Sequence, residues 1–437
     1  MDIRVVIDAS NGMPDTVPVD AIVNEIRKVE IPREVLQAIV NAIQDHLINT
    51  MCGEKYSRNN QDFNFKRYAT KENRTLKTEL GAIRIKPIQV RDKQSGDIST
   101  PIIGYLGLKD KQRVAASLKM KMANLATSLS RREEQEYLLD LLNVKVSIGT
   151  IQNAIEEEGK LAKEKIKENC KGITMDCLFG DESKSHSTKS KKNLIRVVIG
   201  TKTKTKGVTP ITVSVNEKWD TIGKEVKELG VVNDDTVLIS DGQEDLIEAF
   251  DYIKLKQRST PHIIRRVSYY LWKHGVSNED RKRFMTPLTS AICTLRNSVA
   301  KHLKDKNMHR LEWRINKTKE ELTNIVDLLR SEGYGKIVKF LENAKDNAIT
   351  FAELALKERI IHDTTNPIER VIGGISGRIK HIWSNWSPKP LEYLLNICLL
   401  KWCDREGFRK WQMGRIPKSN FSISAEIAIK INFNGKF

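Results

Sequence analysis

Apolar residues recur at helical spacing over 19–50, where Ile22, Val23, Ile26 and Val29 and then Val35, Ile39, Ile43 and Leu47 mark one face, with Pro32 separating two segments. Over 53–73 that pattern is lost, and Lys, Arg and Asn interleave with Tyr56, Phe63, Phe65 and Tyr68. Two strand-like runs follow, 74–80 and 82–90, joined at Gly81 as a β-hairpin would be. Residues 108–169 return to helical periodicity. Residues 130–142 predict one amphipathic helix and 143–146 a connector, and Ser147 predicts the N-cap of a second helix over 148–158, with Ile148, Ile151 and Ile155 on one face. Two helices joined by a short turn suggest a helix-turn-helix, although such pairs occur in any α-domain.

From residue 171 the pattern changes to strands. Runs 172–179, 193–200 and 208–215 come in succession, and the turn 201–207 carries Lys202, Lys204 and Lys206. A helix is predicted around 217–229, a β-branched run at 236–240 ending in Asp241-Gly242, a helix at 244–252 and a short strand near 253–257. The order is β-β-β-α-β-α-β. Residues 262–360 are nearly all helical in pattern and strongly charged, and 364–412 are again α-rich, with Trp383, Trp386, Trp402 and Trp411. No internal repeat is visible, and the polar tail beyond 413 predicts no fold. These changes divide the chain into 1–107, 108–170, 171–261, 262–360, 361–412 and 413–437.

Composition narrows the class. The chain has 437 residues, enough for about two to four domains and a large core. Its apolar runs are far short of the ~20 residues of a membrane span. No basic-then-apolar signal segment opens it, and its six cysteines form no CxxC pair, so we expect a reducing cytoplasm and no disulfide scaffold or zinc ribbon. With 74 Lys+Arg against 56 Asp+Glu the net charge is +18. That surplus favours a polyanionic partner, most commonly nucleic acid, over a basic protein whose charge only keeps it soluble. Lys66, Arg67, Lys71 and Arg74, and then Lys189, Lys191 and Lys192, are further cationic candidates.

Three strands, a helix and a strand ending in Asp are the wiring of a ribonuclease-H-like core. Such sites gather carboxylates from separate elements to hold two divalent ions at a phosphodiester. Asp241, delivered by the run 236–240, is the clearest candidate, against the alternative that Asp-Gly is simply a turn. For the first acid, Asp176 and Asp181 lie five apart in or just after the first strand and face opposite sides, so only one enters the site. Gly180-Asp181-Glu182-Ser183-Lys184 supplies a polar strand end, whereas Asp176 sits inside an apolar run. Glu369 is the late-helix candidate. Asn366 as N-cap, Pro367 at the first helical position and Glu369 at the third also read as a capping box. Gly373, Gly374 and Gly377 suggest close approach of a nucleic-acid backbone, with Arg370, Arg378 and Lys380 on phosphates, or tight helix packing. His262 could orient a phosphate or assist proton transfer, though a His beside a helix start is more often structural. His186 lies close to Asp181 in sequence, and Trp386, flanked by polar residues, is the best candidate for an exposed base-stacking ring.

Taken together, these residues resemble a family. Thr364-Thr365-Asn366-Pro367-Ile368-Glu369-Arg370 followed by Arg378-Ile379-Lys380 resembles the C-terminal signature of Mutator-like insertion-sequence transposases, closest in appearance to an archaeal branch. Trp383, Trp386 and Ser387 resemble the "W…WS" stretch after it. Gln257-Arg258-Ser259-Thr260-Pro261-His262 is similar to the family's "QRCxxH" element, with Ser259 where the family has Cys. Gly180-Asp181-Glu182-Ser183-Lys184 resembles an "ADGTK"-type motif, with Glu182 in place of Gly, and this favours Asp181 over Asp176. The resemblance covers 171–405 well and the first 170 residues loosely. It implies an α/β ribonuclease-H-like core interrupted by an all-helical insertion and preceded by a mainly helical DNA-binding region with a small β-hairpin. It implies a DDE transposase in which Asp181, Asp241 and Glu369 hold two Mg²⁺ (or Mn²⁺) ions, with His262, Asn366 and Arg370 as accessory residues and Lys202, Lys204, Lys206, Arg378, Lys380 and Trp386 on DNA. Implied partners are transposon-end DNA with terminal inverted repeats, target DNA and a second copy of the chain, in a prokaryotic, nucleoid-associated cytoplasmic setting. The alternatives are a catalytically silent or repurposed DNA-binding protein and a host nuclease acting on RNA or hybrids.

Overall fold

The structure, a computed structural model, describes residues 31–53, 63–109, 111–188, 192–203, 207–380 and 385–416. The predicted helical residues 19–30, together with Tyr56, Lys189, Lys191, Lys204, Lys206, Trp383 and the tail beyond 416, lie outside them. The chain is mixed α/β and divides into two compact units, one of Met1–Lys121, Gln135–Ser147 and Gln412–Phe437, the other of Met122–Glu134 and Ile148–Trp411. No helix among the described residues is long and apolar enough to cross a membrane.

In the first unit, α1 (Ile31–Cys52) packs over a small β-structure. Strands β2 (Arg74–Thr78) and β3 (Gly81–Ile85) form the predicted hairpin, turning at Gly81 with φ +114°. The second predicted strand, 82–90, is two strands. Pro87 lacks the N–H that a ladder needs, and the chain leaves β3 there to form β4 (Ile88–Asp92), which pairs with β1 (Phe65–Thr70) and β5 (Ile98–Ser99). Strand β1 lies in the stretch that showed no strand pattern. Five of its six residues are exposed, so no apolar alternation marks it. Val40, Leu76, Ile83, Ile85 and Ile102, the last from the short α2 (Pro101–Tyr105), make the core. Two helices, α3 (Ala116–Ala126) and α4 (Arg131–Leu142), follow, each with residues assigned to both units. Ser130 and Glu133 cap α4 reciprocally, each side chain accepting from the other's backbone N–H.

The second unit is built on a five-stranded sheet. Helix α5 (Ile148–Cys170) runs twelve residues past the predicted end at 158 and stops before Gly172, at φ +68°. Then come β6 (Cys177–Ser185), β7 (Asn193–Thr201), β8 (Val208–Val215), α6 (Trp219–Glu228), β9 (Val237–Ser240), α7 (Glu244–Ala249) and β10 (Leu255–Arg258). The sheet order is β10-β9-β6-β7-β8. Strands β6, β7 and β8 are antiparallel, and β9 and β10 run parallel to β6. Strand β6 is displaced from the predicted 172–179 and continues through the polar residues 180–185. Pairing of Ser185 with Asn193 holds that end, and Ser183 and Ser185 are buried.

The two faces of the sheet are covered differently. Leu178, Val198 and Leu238 pack with Trp219, Ile222, Val226, Leu246 and Phe250 of α6, α7 and the residue after α7. The other side meets α5, α13 (Asn366–Ile379) and α14 (Pro388–Cys403). Gly159 allows the close approach of α5 to α14: a Cβ there would lie 2.5 Å from the Tyr393 carbonyl oxygen. Between β10 and α13 run α8 (Thr260–Lys273), α9 (Asn278–Lys304), α10 (Met308–Ser331), α11 (Gly335–Ala348) and α12 (Thr350–Ala355). These helices share a core of their own, including Val267, Leu271, Leu288, Leu311, Leu329 and Ile337. Buried Gln257 ties β10 to it, donating to the Ala348 carbonyl at 3.2 Å and accepting from the Phe351 N–H at 2.7 Å. The last helix among the described residues is α15 (Arg405–Gly414).

Candidate active site

Strand register brings the acids to one end of the sheet. Phe179 pairs with Ile239 in the parallel β6–β9 ladder, and Arg258 pairs with Ser240 in β9–β10. Continuing the register puts Asp181, Asp241 and Ser259 side by side. Asp181 is thus the fifth residue of β6, not the residue just after it. Alternation sends Asp181 to the same side as Phe179, whose ring meets His362 at 5.6 Å just before α13. Glu369 enters from that side, in the first turn of α13. Asp176 lies at the opposite end of the strand, where its carboxylate accepts from the Thr203 N–H at 2.6 Å.

The turn after Asp241 is also a real turn. Gly242 sits at φ +89°, and a Cβ there would run into the Arg258 guanidinium. Arg258 donates from Nε to the Asp241 carbonyl at 3.3 Å and from Nη2 to the Gly242 carbonyl at 3.4 Å. Glu182, next to Asp181, is engaged elsewhere. It lies 3.7 Å from Arg196 and accepts from Gln243 at 3.2 Å.

A hydroxyl network links His262 to Glu369. Thr365 donates from Oγ1 to Glu369 Oε1 at 2.7 Å. Helix α13 begins one residue earlier than predicted, with Thr365 as N-cap and Asn366 as the first helical residue, so the predicted box from Asn366 does not form. Asn366 is exposed. The His262 Nδ1 lies 2.9 Å from Ser259 Oγ and 3.3 Å from Thr365 Oγ1, and its Nε2 lies 3.7 Å from Glu369 Oε1. The tautomer with hydrogen on Nε2 turns a donor toward the carboxylate and leaves Nδ1 to accept from Ser259. Arg265 reaches within 4.0 Å of the same Glu369 oxygen. Ser259 and Thr365 fall inside the family-like motifs without a role of their own, and the sequence did not single out Arg265. The one available signal was spacing: three before His262, four before Glu369 and one helical turn after His262.

Electrostatically the site gathers negative charge around a buried carboxyl. The Asp181 carboxyl is pushed up to about 6, first by burial and then by the charges of Asp241, Glu369 and Glu182, against the lowering effect of the Glu182 N–H. His262 is held below its usual value by burial and Arg265, with Glu369 and Asp241 opposing, so it is neutral at pH 7. Among the described residues no three His, Cys, Asp or Glu side chains are drawn together as a ready-made metal cage. Mg²⁺ is usually bound through one or two carboxylates, with waters and substrate phosphates completing its shell. The hard-oxygen donors Asp181, Asp241 and Glu369, one of them raised by burial and then by the charges of the other two, fit that mode.

Several predicted DNA contacts lie away from the acids. Trp386 is not exposed. At 5% exposure it donates from Nε1 to the Ile379 carbonyl at 3.3 Å, and two guanidiniums lie over its ring, Arg378 at 4.8 Å and Arg131 at 5.6 Å. Arg378 is likewise buried and donates from Nε to the Ala126 carbonyl at 2.7 Å, so neither residue presents a surface to a nucleic acid. Beside them Glu134 is fully buried, and burial raises its carboxyl to about 8 although Arg378 and Arg131 oppose this. Polar neighbours in sequence made Trp386 look exposed, but the isolated bridge Ser187–Trp386 and bonds to His186 and Asn193 tuck it against the end of β6. The His186 side chain is exposed there. Lys380 is exposed. Lys202 and Arg370 line a cavity of about 690 Å³ with Trp402 and Arg405, beyond the start of β6. Of the three glycines, Gly374 packs on the Trp402 indole, 2.9 Å from where a Cβ would be, while Gly373 and Gly377 have open space.

Residues 9–184 are similar to an uncharacterised protein family (UPF0236), a match over less than half of the chain. It ends at Lys184, so it includes Asp181 but not Asp241, His262 or Glu369. No curated protein matches the sequence.

Proposed function

We propose that the chain is a DDE transposase of the Mutator-like insertion-sequence type, with a ribonuclease-H-like core, acting on transposon-end and target DNA. The observation that carries this reading is the convergence of Asp181, Asp241 and Glu369 from β6, the end of β9 and the first turn of α13, close enough for two of them to raise the third. Strand order and the long helical connection before the Glu369 helix support it.

Asp181, Asp241 and Glu369 would hold Mg²⁺, which supplies the positive charge that offsets an anionic phosphodiester and activates an attacking oxygen. The residues of the chain then have separate tasks. Thr365 fixes one Glu369 oxygen, so the other remains to face the site. His262, neutral and anchored through Nδ1, keeps a donor near Glu369 without adding a cation that competes for it. Arg258 holds the turn that aims Asp241. In this reaction water opens the phosphodiester at the element end, and the released 3′-OH attacks a target phosphodiester at the same site, displacing the target strand's own 3′-oxygen, which leaves as a hydroxyl.

The test is incubation of the protein with its own element ends, Mg²⁺ and labelled target. Nicking and strand transfer are expected, with Asp241→Asn losing both while still binding DNA. Cleavage retained by Asp241→Asn would sink the assignment. A silent DNA-binding descendant is the second reading, motivated by the lack of a ready-made three-ligand cluster among the described residues. It predicts DNA binding with no cleavage in the wild type.

A further inference from the structure

Helix α8 leaves the acid site carrying an unusual face. Ile263, Val267 and Leu271 are buried in the helical core, and the opposite side exposes Arg265, Arg266, Tyr269, Trp272 and Lys273. Its sequence, Thr-Pro-His-Ile-Ile-Arg-Arg-Val-Ser-Tyr-Tyr-Leu-Trp-Lys, contains no carboxylate. Trp272 is 59% and Tyr269 50% exposed, and their rings lie 5.8 Å apart, tilted by 35°. Trp313 and Tyr105 are equally open, so exposure alone is not the signal; what sets this face apart is two open rings side by side on a helix that carries no carboxylate. Beside them a cleft of about 580 Å³ is lined by Ser268, Asn278, Arg281, Lys282, Met285 and Thr286, among others, and no carboxylate lines it. Arg281 donates to Asn278 through Nη2, while its Nε is buried and has no hydrogen-bond partner among the described residues. The acids nearest in sequence, Glu279 and Asp280, lie in the first turn of α9, and Asp280 serves the Ser277 cap.

We infer that this face of α8, with the cleft at the start of α9, binds single-stranded DNA leading into the acid site. Cations flanking two open rings suit a chain that alternates phosphates with stackable bases, and paired bases could not reach the rings. Protein interfaces also favour Tyr, Trp and Arg, so the rings alone do not choose the partner; the choice rests on charge, since every charged side chain exposed on α8 is a cation and no carboxylate lines the cleft. Arg265, at 4.0 Å from Glu369, marks where the track meets the acids. From Arg265 to Trp272 the helix rises about 10 Å, room for about two or three stacked nucleotides. That the strand is DNA rests on the function proposed above; the stacking face does not.

The test uses the full-length chain carrying Asp241→Asn, with EDTA present, so that no chemistry occurs. Fluorescence anisotropy measures the affinity for a labelled oligothymidylate of about 12 nucleotides and for a duplex of equal length. Trp272→Ala and Tyr269→Ala should each weaken single-strand binding at least about fivefold and leave duplex binding within about twofold, and Trp272→Phe should restore it. Unchanged single-strand affinity overturns the inference, as does an equal loss on duplex. A dimer that Trp272→Ala splits, with DNA affinity intact, would make the face a contact between copies instead, and tighter, ring-dependent binding of the matching RNA would reassign the ligand. Failure of wild-type cleavage would sink the transposase reading and leave this binding result standing.

Discussion

Asp181→Asn should make the metal-free protein more stable while abolishing its chemistry. The carboxyl of Asp181 titrates at about 6 in the fold against a reference of 3.8, so burial and like charge penalise its ionised form. Roughly two units correspond to about 3 kcal/mol, an upper bound because the side chain is partly solvated. Because the folded value is raised, the folded state binds more protons than the unfolded one between these pH values. Stability attached to this group is therefore complete below about pH 4 and is lost as pH rises through about 6. Asparagine keeps the oxygen that accepts from the Glu182 N–H at 2.7 Å and removes the charge. In EDTA at pH 7.5, urea unfolding read by hydrogen exchange at β6 and β7 amides should show a gain of about 1–3 kcal/mol, shrinking to about 0.5 kcal/mol near pH 4. Millimolar Mg²⁺ should close the gap by stabilising only the wild type. A variant no more stable than wild type at pH 7.5, or a gain that persists at pH 4, would refute the account of strained negative charge.

Ser259→Ala removes the partner of His262 Nδ1. Single-turnover cleavage should slow about tenfold with DNA affinity unchanged, a cost of about 1–2 kcal/mol, and Ser259→Cys should recover part of it. Trp386→Ala should lower unfolding free energy by about 3–5 kcal/mol through loss of a buried ring, and DNA affinity measured well below the melting temperature should not change. Glu134→Gln should flatten the stability profile between about pH 5 and 8: the folded carboxyl is raised to about 8, so stability held below its unfolded value is lost as pH rises through that point, and equilibrium unfolding against pH reads the slope.

Legibility from the sequence followed burial. Strands β7, β8 and β9 are buried along nearly their whole length, so their apolar runs gave the strand order directly. Asp241, His262 and Glu369 each stand at a strand end or a helix start, where Gly242, Pro261 and Pro367 punctuate the chain. Strand β6 was misplaced because its second half is polar, and a strand held by its neighbour's backbone needs no apolar pattern. Trp386 and Arg378 were misread for a related reason: local polarity says nothing of a ring drawn under the guanidinium of Arg131, from a distant segment, as well as that of nearby Arg378. The α8 face was within reach, since Ile263, Val267 and Leu271 recur every fourth residue and leave Tyr269 and Trp272 opposite.

The surplus of +18 acquires a division of labour from these placements. Around Asp181, Asp241 and Glu369, burial first and then negative charge hold one carboxyl at about 6, and Arg258, the cation beside Asp241, is occupied by backbone carbonyls. One turn of α8 away the balance reverses, with Arg265 and Arg266 followed by Lys273 and no acid on the helix. A phosphate chain alone would be drawn to the second region and repelled by the first. On the proposed reading the order of events follows from this gradient. The cationic face engages DNA without metal, and the acids admit the scissile phosphate only once divalent charge is present. DNA affinity in EDTA should therefore respond to Arg265→Ala more than to Asp241→Asn, and Asp241→Asn should, if anything, tighten binding in the absence of Mg²⁺. A metal-free affinity that falls with Asp241→Asn and ignores Arg265→Ala would reverse the assignment of the two regions.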